Sequence, residues 1–277
     1  MDQLFYINGE NISETEQKVL SLCIGEKYIG FSITDFPGCD LTCVGYFKNE
    51  DIDSGFLTKL FSEHDVLNRA FHQVLIEFDN SQHALIPKQY HNNNSRLILR
   101  IMTGGISNSE IVYDELSDLE LCNVYAVPGN VYSWLKQKYS SVSITHFSTC
   151  LFNSFIKSGI HDTSGCFLLD FKAEEFSVIA IRDKNILLTQ YYSYSNPGDV
   201  VYYLLKICDQ FSISQKKVEL FVSGLIGQQS ALSGELYQFF QHLTFRNVPE
   251  WDEIISKKSD YYSHYFASLN DLAKCAS

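Results

Sequence analysis

A chain of 277 residues holds two domains of ordinary size or one large one, and 45% hydrophobic against 19% charged residues excludes wholesale disorder. The formal net charge is −12, and the only paired lysines, Lys216-Lys217 and Lys257-Lys258, are isolated. Nucleic-acid binding by phosphate neutralisation is disfavoured, because it needs clustered Lys and Arg.

The first 17 or so residues are polar and read as a short arm or a leading strand. Val19–Ile24 and Tyr28–Thr34 are apolar runs around Gly25-Glu26-Lys27, a tight hairpin. Pro37-Gly38 marks a turn before a third strand, Leu41–Lys48. Ser54 is expected to cap a helix over Gly55–Ser62 with Phe56, Leu57, Leu60 and Phe61 on one face, and Gln73–Phe78 is the next strand. From residue 80 to residue 146 the pattern is looser. Ala84–Pro87 is brief and apolar, Leu97–Met102 ends a helix, Ile111–Tyr113 and Leu121–Val127 are strands, and Val131–Tyr139 is a helix. This region reads as a subdomain inserted in the first half, which closes with a strand at Val142–Thr145. A helix over Phe147–Ser158 ends at Gly159, a suitable position for a left-handed cap.

The second half is cleaner. Cys166–Phe171, Phe176–Arg182 and Ile186–Tyr194 are strands joined by Glu174-Glu175 and Asp183-Lys184-Asn185. Asn196, Pro197 and Asp199 mark a helix start, and Val200, Val201, Leu204, Leu205, Ile207, Cys208 and Phe211 form its broad apolar face. The strand Val218–Val222 runs into Ser223-Gly224. A helix over Gly234–His242, a strand at Leu243–Val248 and a closing helix over Asp260–Cys275 are expected to follow. The repeated β-β-β-α-β order points to an α/β protein with an actin-like fold. It would have two halves, residues 1–146 and 147–277.

The segments Asn123-Val124-Tyr125-Ala126-Val127-Pro128, Tyr191-Tyr192-Ser193-Tyr194 leading into Gly198-Asp199-Val200-Val201-Tyr202-Tyr203, and Tyr265-Phe266 with Leu269 and Leu272-Ala273-Lys274-Cys275 carry a resemblance. The chain resembles an uncharacterised bacterial family, a domain of unknown function with an actin-like ATPase fold. The resemblance covers about the last 150–160 residues and the first part by topology. It implies the fold, two ribonuclease-H-like halves (βββαβα repeated) with mixed sheets; no reaction is assigned to that family.

Active members of the wider actin-like superfamily hold phosphates in the first hairpin loop of each half, on a sequence resembling Asp-x-Gly-[Thr/Ser]. Glycine there lets backbone N–H groups approach the phosphates, and the aspartate organises Mg²⁺. The first-half turn, Ile24-Gly25-Glu26-Lys27-Tyr28, lacks the aspartate but keeps Gly25 and Lys27. The second-half turn, Asp170-Phe171-Lys172-Ala173-Glu174, keeps Asp170 but no glycine, and Glu174 and Glu175 would repel a triphosphate. Ser223-Gly224, in Phe221–Gly227, is a partial version of the adenosine loop.

Other constellations are weaker. Asp35, Asp79 and Asp170 could imitate ribonuclease-H carboxylates, but that chemistry needs them to converge on two metals. Neither a Gly-x-Ser-x-Gly nor a P-loop is present. His146, between a strand and a helix, reads as a cap or packed histidine. Tyr191–Tyr194 and Tyr202-Tyr203 read as core aromatics with hydroxyls at the rim, or as a recognition surface. The eight cysteines include no CxxC pair, and Cys39-x3-Cys43 has no matching histidines for zinc; buried thiols in a reducing cytoplasm are expected. No apolar run reaches ~18 residues, and Met1-Asp2-Gln3-Leu4 shows no secretory pattern, so membrane insertion is not expected.

The expectation is a cytoplasmic, non-catalytic binding or scaffold protein with a protein partner. The alternative is an ATP-dependent enzyme, a small-molecule kinase or ATPase using ATP with magnesium. In that case Asp170 would organise the metal, Lys27 or Lys172 would contact phosphate beside Gly25, and Ser223-Gly224 would abut the base.

Overall fold

The computed structural model describes residues 1–9, 17–91, 95–104, 108–159, 164–259 and 261–276. By its internal contacts the chain forms two compact units, Met1–Cys150 with Leu269–Ser277, and Leu151–Ser268.

In the first unit, β1 (Asp2–Asn8) is the leading strand, and β2 (Lys18–Gly25), β3 (Tyr28–Asp35) and β4 (Leu41–Lys48) form an antiparallel meander. β1 pairs antiparallel with β4. After α1 (Ser54–Glu63), β5 (Gln73–Asp79) lies parallel to β2 on its other side. β2 is buried at every residue, as an apolar run in the middle of a sheet covered on both faces must be. α1 buries Phe56, Leu57, Leu60 and Phe61, the face expected. Its cap is Asp53 rather than Ser54: the Asp53 carboxylate accepts from the Phe56 N–H at 2.8 Å, one residue before the hydroxyl expected to do so.

The insertion is a small layer of its own. β6 (His83–Pro87), β7 (Ser109–Leu116) and β8 (Leu121–Pro128) form an antiparallel sheet in the order β6-β8-β7. α2 (Ser95–Thr103) covers it, placing Leu99 among Ala84, Ile86, Cys122, Val124 and Ala126. α3 (Gly129–Lys138) returns to the main sheet through Val131 and Leu135. β9 (Ser143–His146) then adds in parallel to β5, giving the order β1-β4-β3-β2-β5-β9. α4 (Phe147–Lys157) follows, and Gly159 takes the left-handed conformation expected of it, φ +74°.

The second unit repeats the plan. β10 (Cys166–Phe171), β11 (Glu175–Arg182) and β12 (Asn185–Ser193) are antiparallel neighbours. α5 (Pro197–Gln210) leads to β13 (Glu219–Gly224), parallel to β10. α6 (Ala231–Phe239) leads to β14 (His242–Phe245), parallel to β13. The order β12-β11-β10-β13-β14 reproduces β4-β3-β2-β5-β9 of the first unit. The doubled α/β architecture with mixed sheets is the one expected.

Three boundaries differ. α6 begins earlier than Gly234, because Ser230 caps it by accepting from the Ser233 N–H at 3.2 Å. β14 occupies His242–Phe245 rather than Leu243–Val248, and an unforeseen helix, α7 (Pro249–Lys258), takes the chain on. The closing helix is shorter than expected: a 3₁₀ turn at Ser263–Phe266 precedes α8 (Ala267–Ala273), and residue 260 lies outside the described residues. The last residues belong to the first unit because Leu272 is buried with Val19, Leu75 and Cys150. Among the described residues no helix is long and apolar enough to cross a membrane.

Candidate functional site

Parallel pairing of β10 with β13 sets Asp170 beside Ser223 and Phe171 beside Gly224. Residues opposite each other in a ladder share a face, so the Ser223 hydroxyl reaches Asp170 Oδ2 at 2.7 Å, with the Leu169 carbonyl oxygen at 3.1 Å. Lys172 turns back along the hairpin, and its ammonium forms an ion pair with Asp170 Oδ1. Both partners are buried, Asp170 2% exposed and Lys172 8%. The backbone of the turn is also engaged: the Lys172 N–H donates to Glu175 O at 2.8 Å, and Lys172 O accepts from the Tyr194 hydroxyl at 2.8 Å. Gly224 has φ +81°, and a Cβ there would lie 2.2 Å from Phe171 O. Only glycine fits that crossing, and the Leu225 N–H then donates to Phe171 O at 2.6 Å.

Four of the sequence candidates, Asp170, Lys172, Ser223 and Gly224, therefore meet in one place. Gly25 and Lys27 belong to the other unit. His264 is a neighbour that no sequence motif singles out. Its Nε2–H donates to Ile226 O at 2.8 Å, and Nδ1 lies 3.2 Å from the Asn247 amide oxygen. Burial lowers its pKa, while the Ile226 hydrogen bond and the Asp170 charge act in the opposite direction.

The first-unit turn is built differently. Tyr28 folds over Gly25 so closely that a Cβ on Gly25 would lie 2.1 Å from the ring. The Tyr28 hydroxyl donates to Asp79 Oδ2, with the Cys23 thiol 3.3 Å away, and its ring stacks on Tyr46 at 4.9 Å. Lys27 is exposed, and its carbonyl accepts from the Asn49 N–H at 3.1 Å. Asp35 pairs with Lys18 at the far end of β2 from Asp79, which faces Gly25. Asp35 and Asp79 thus do not converge, as a two-metal nuclease would require. Among the described residues no group of three His, Cys, Asp or Glu could hold a metal ion.

His146 is fully buried and belongs to a polar chain that the sequence only hinted at. His83 Nδ1 lies 3.0 Å from Asn123 Oδ1, and the Asn123 amide donates to Ser148 Oγ at 3.2 Å and Thr149 Oγ1 at 2.9 Å. Ser148 Oγ lies 2.8 Å from His146 Nδ1, and His146 Nε2 lies 3.1 Å from Asn80 O. A carbonyl can only accept, so Nε2 carries the proton and Nδ1 accepts from Ser148. His83 stacks on His146 at 4.3 Å. Asp114 accepts from the His146 N–H at 2.7 Å and Thr145 Oγ1 at 3.0 Å. Both ring nitrogens of His146 are engaged within the protein, which suits a packed histidine.

Tyr192 stacks on Tyr203 at 4.2 Å, and Tyr194 serves the Lys172 turn, while Tyr202 stands 57% exposed. The aromatic run is thus divided between the core rim and the surface.

The model of a family described as a protein of unknown function, DUF3822, matches residues 8–243. The chain belongs to DUF3822. No curated protein matches its sequence. Among solved structures, a Bacteroides thetaiotaomicron protein with an actin-like ATPase fold and unknown function is similar, with a TM-score of 0.77 at 18% identity, covering 96% of this chain and 99% of that one. The type IV pilus biogenesis complex PilM-PilN is also similar, with a TM-score of 0.65 at 11% identity, covering 93% of this chain and 98% of that one. At such identities the likeness establishes the fold, and this DUF3822 chain has the actin-like ATPase fold.

Proposed function

We propose that this DUF3822 protein is a non-catalytic, cytoplasmic binding protein that uses the actin-like fold as a scaffold for a protein partner. The observation that carries this reading is the Asp170 carboxylate. A metal-organising aspartate must offer an ionised oxygen to the cation, whereas Lys172 and Ser223 engage both Asp170 oxygens from within the protein. The Lys172 N–H, which a phosphate loop would direct at its ligand, is given to Glu175. In the first unit Tyr28 covers the glycine. Neither turn fits ATP with magnesium. The eight free cysteines suit a reducing compartment. The net charge of −12 favours a protein over a nucleic acid as partner. A chain of the same fold is solved within the PilM-PilN type IV pilus biogenesis complex.

The test is a thermal melt with and without millimolar ATP and Mg²⁺. A ligand at 100 times its Kd adds about 2.7 kcal/mol, so bound nucleotide would show as a clear rise in Tm. No rise and no phosphate release are expected. Mg²⁺-dependent hydrolysis that disappears in Asp170→Ala would overturn the proposal.

A further inference from the structure

The inserted subdomain carries an apolar surface on a helix that is otherwise basic. Among the described residues, five of the nine exposed large hydrophobic side chains lie there: Tyr90, Leu97, Ile101, Met102 and Tyr113, 49–72% exposed. At 100° per residue, Leu99 points to the sheet, so Leu97 and Ile101 point away from it. Ile98 and Met102 lie on one flank of that stripe, and Arg96 and Arg100 on the other. The Arg96 guanidinium donates to Ser109 O at 2.8 Å, which sets the cationic flank on the β7 side. α2 contains no acidic residue. Glu115 of β7 is already paired with Lys88 at 2.9 Å.

An apolar stripe bordered by two arginines, on a chain of net charge −12, selects its occupant by charge. A second copy packed antiparallel on this stripe would set arginine flank against arginine flank. An anionic bilayer would meet repulsion from the rest of the chain, and a nine-residue helix offers little apolar area to insert. A helix or extended segment with carboxylates beside an apolar stripe satisfies both features.

We infer that α2 is the docking surface for an acidic amphipathic segment of a partner protein. Its apolar residues would cover Leu97, Ile101 and Met102, and its carboxylates would meet Arg96 and Arg100. The inference rests on the binding role proposed above and assigns that role a surface.

The test places a photoreactive benzophenone amino acid at Ile101 of the full chain, in cells of its natural source, and maps the cross-linked peptide by mass spectrometry. The expected product joins Ile101 to a segment of another protein with Asp or Glu flanking apolar residues. Its yield should fall at least tenfold in Arg100→Glu and in Arg96→Glu/Arg100→Glu, and recover when the mapped carboxylates are changed to lysine. Equal melting temperatures would show that the variants fold. Cross-links to lipid, to a second copy or to a segment without carboxylates would overturn the inference, as would no cross-link or a yield indifferent to the arginines. A partner cross-linked through a probe at Tyr202 but not at Ile101 would overturn this surface and leave the binding role standing. ATP hydrolysis would remove the role itself.

Discussion

Asp170 is a buried carboxylate whose charge is met by the side chain two residues along its own hairpin. Removing one partner of a buried pair leaves the other charge unpaired and typically costs about 3–5 kcal/mol. Lys172→Met is therefore expected to lower unfolding stability by about 3 kcal/mol, towards the low end because Ser223 still supports the carboxylate. Asp170→Asn/Lys172→Met should recover most of the loss, and urea titration of the three chains measures both. A double variant as unstable as the single would show that the lysine acts through packing. The sequence placed Asp170, Lys172, Ser223 and Gly224 around one site because strand order and ladder register are written in apolar runs and turn residues. It did not show that Lys172 turns inwards, since a four-carbon stem reaches in many directions. Nor did it show that Gly25 makes room for Tyr28: a glycine looks the same whether a phosphate or a ring approaches it. His146 provides a second residue-scale prediction. Burial, with the neighbouring His83, holds its pKa well below 6.5, and the Asn80 hydrogen bond opposes this only in part; burial lowers His83 as well. The unfolded chain takes up these protons near pH 6.5 while the native state does not, so stability falls as pH drops below 6.5. The slope approaches about 1.4 kcal/mol per pH unit for each such group. Asp114 works in the opposite sense, since burial raises its pKa and the native state keeps that proton to higher pH. Urea midpoints between pH 6.5 and 5 should decline, and His146→Gln should flatten the decline.

At the scale of elements, α5 was legible and α7 was not, and the difference is physical. α5 announces itself through a reciprocal capping box. The Asn196 side chain accepts from the Asp199 N–H at 3.2 Å, and the Asp199 carboxylate accepts from the Asn196 N–H at 3.1 Å. Asn196→Ala removes half of that box and is expected to cost about 1 kcal/mol. A thermal melt measures the loss, and an unchanged Tm would show that Pro197 alone fixes the helix start. α7 buries only Trp251 and Ile255, so its run of charges hides the period that sequence reading depends on. The terminal helix is shorter than its apolar spacing predicts for a different reason. Ser263 Oγ accepts from the Val248 N–H at 2.9 Å and His264 donates to Ile226 O, so long-range partners hold the tight turn before α8. No local propensity reports such bonds.

On the scale of the whole molecule, the first unit is closed by the end of the chain. Cys150 and Cys275 are 125 positions apart in sequence, yet their sulfurs lie 3.9 Å apart. Cys275 is exposed, so a small oxidant such as diamide can reach it. Diamide takes up the two thiol hydrogens and leaves one disulfide. The hydrogen bond with Cys275, then burial and the charge of Glu77, raise the Cys150 thiol well above its ordinary pKa, so the thiolate is scarce and the rate should climb with pH. Two of the eight thiols should be lost, and Cys275→Ser should abolish the product. Closing a loop of this length removes unfolded-state entropy worth up to about 5 kcal/mol in the chain-entropy model. That gain belongs to the unit whose core the linkage joins, where Leu272 packs with Val19 and Leu75. Hydrogen exchange followed by mass spectrometry should therefore slow in β2 and β5 and stay unchanged in β10 and β13. Equal slowing in all four strands would show that the two units unfold as one cooperative body, with the C-terminal residues serving the whole chain and not the first unit alone.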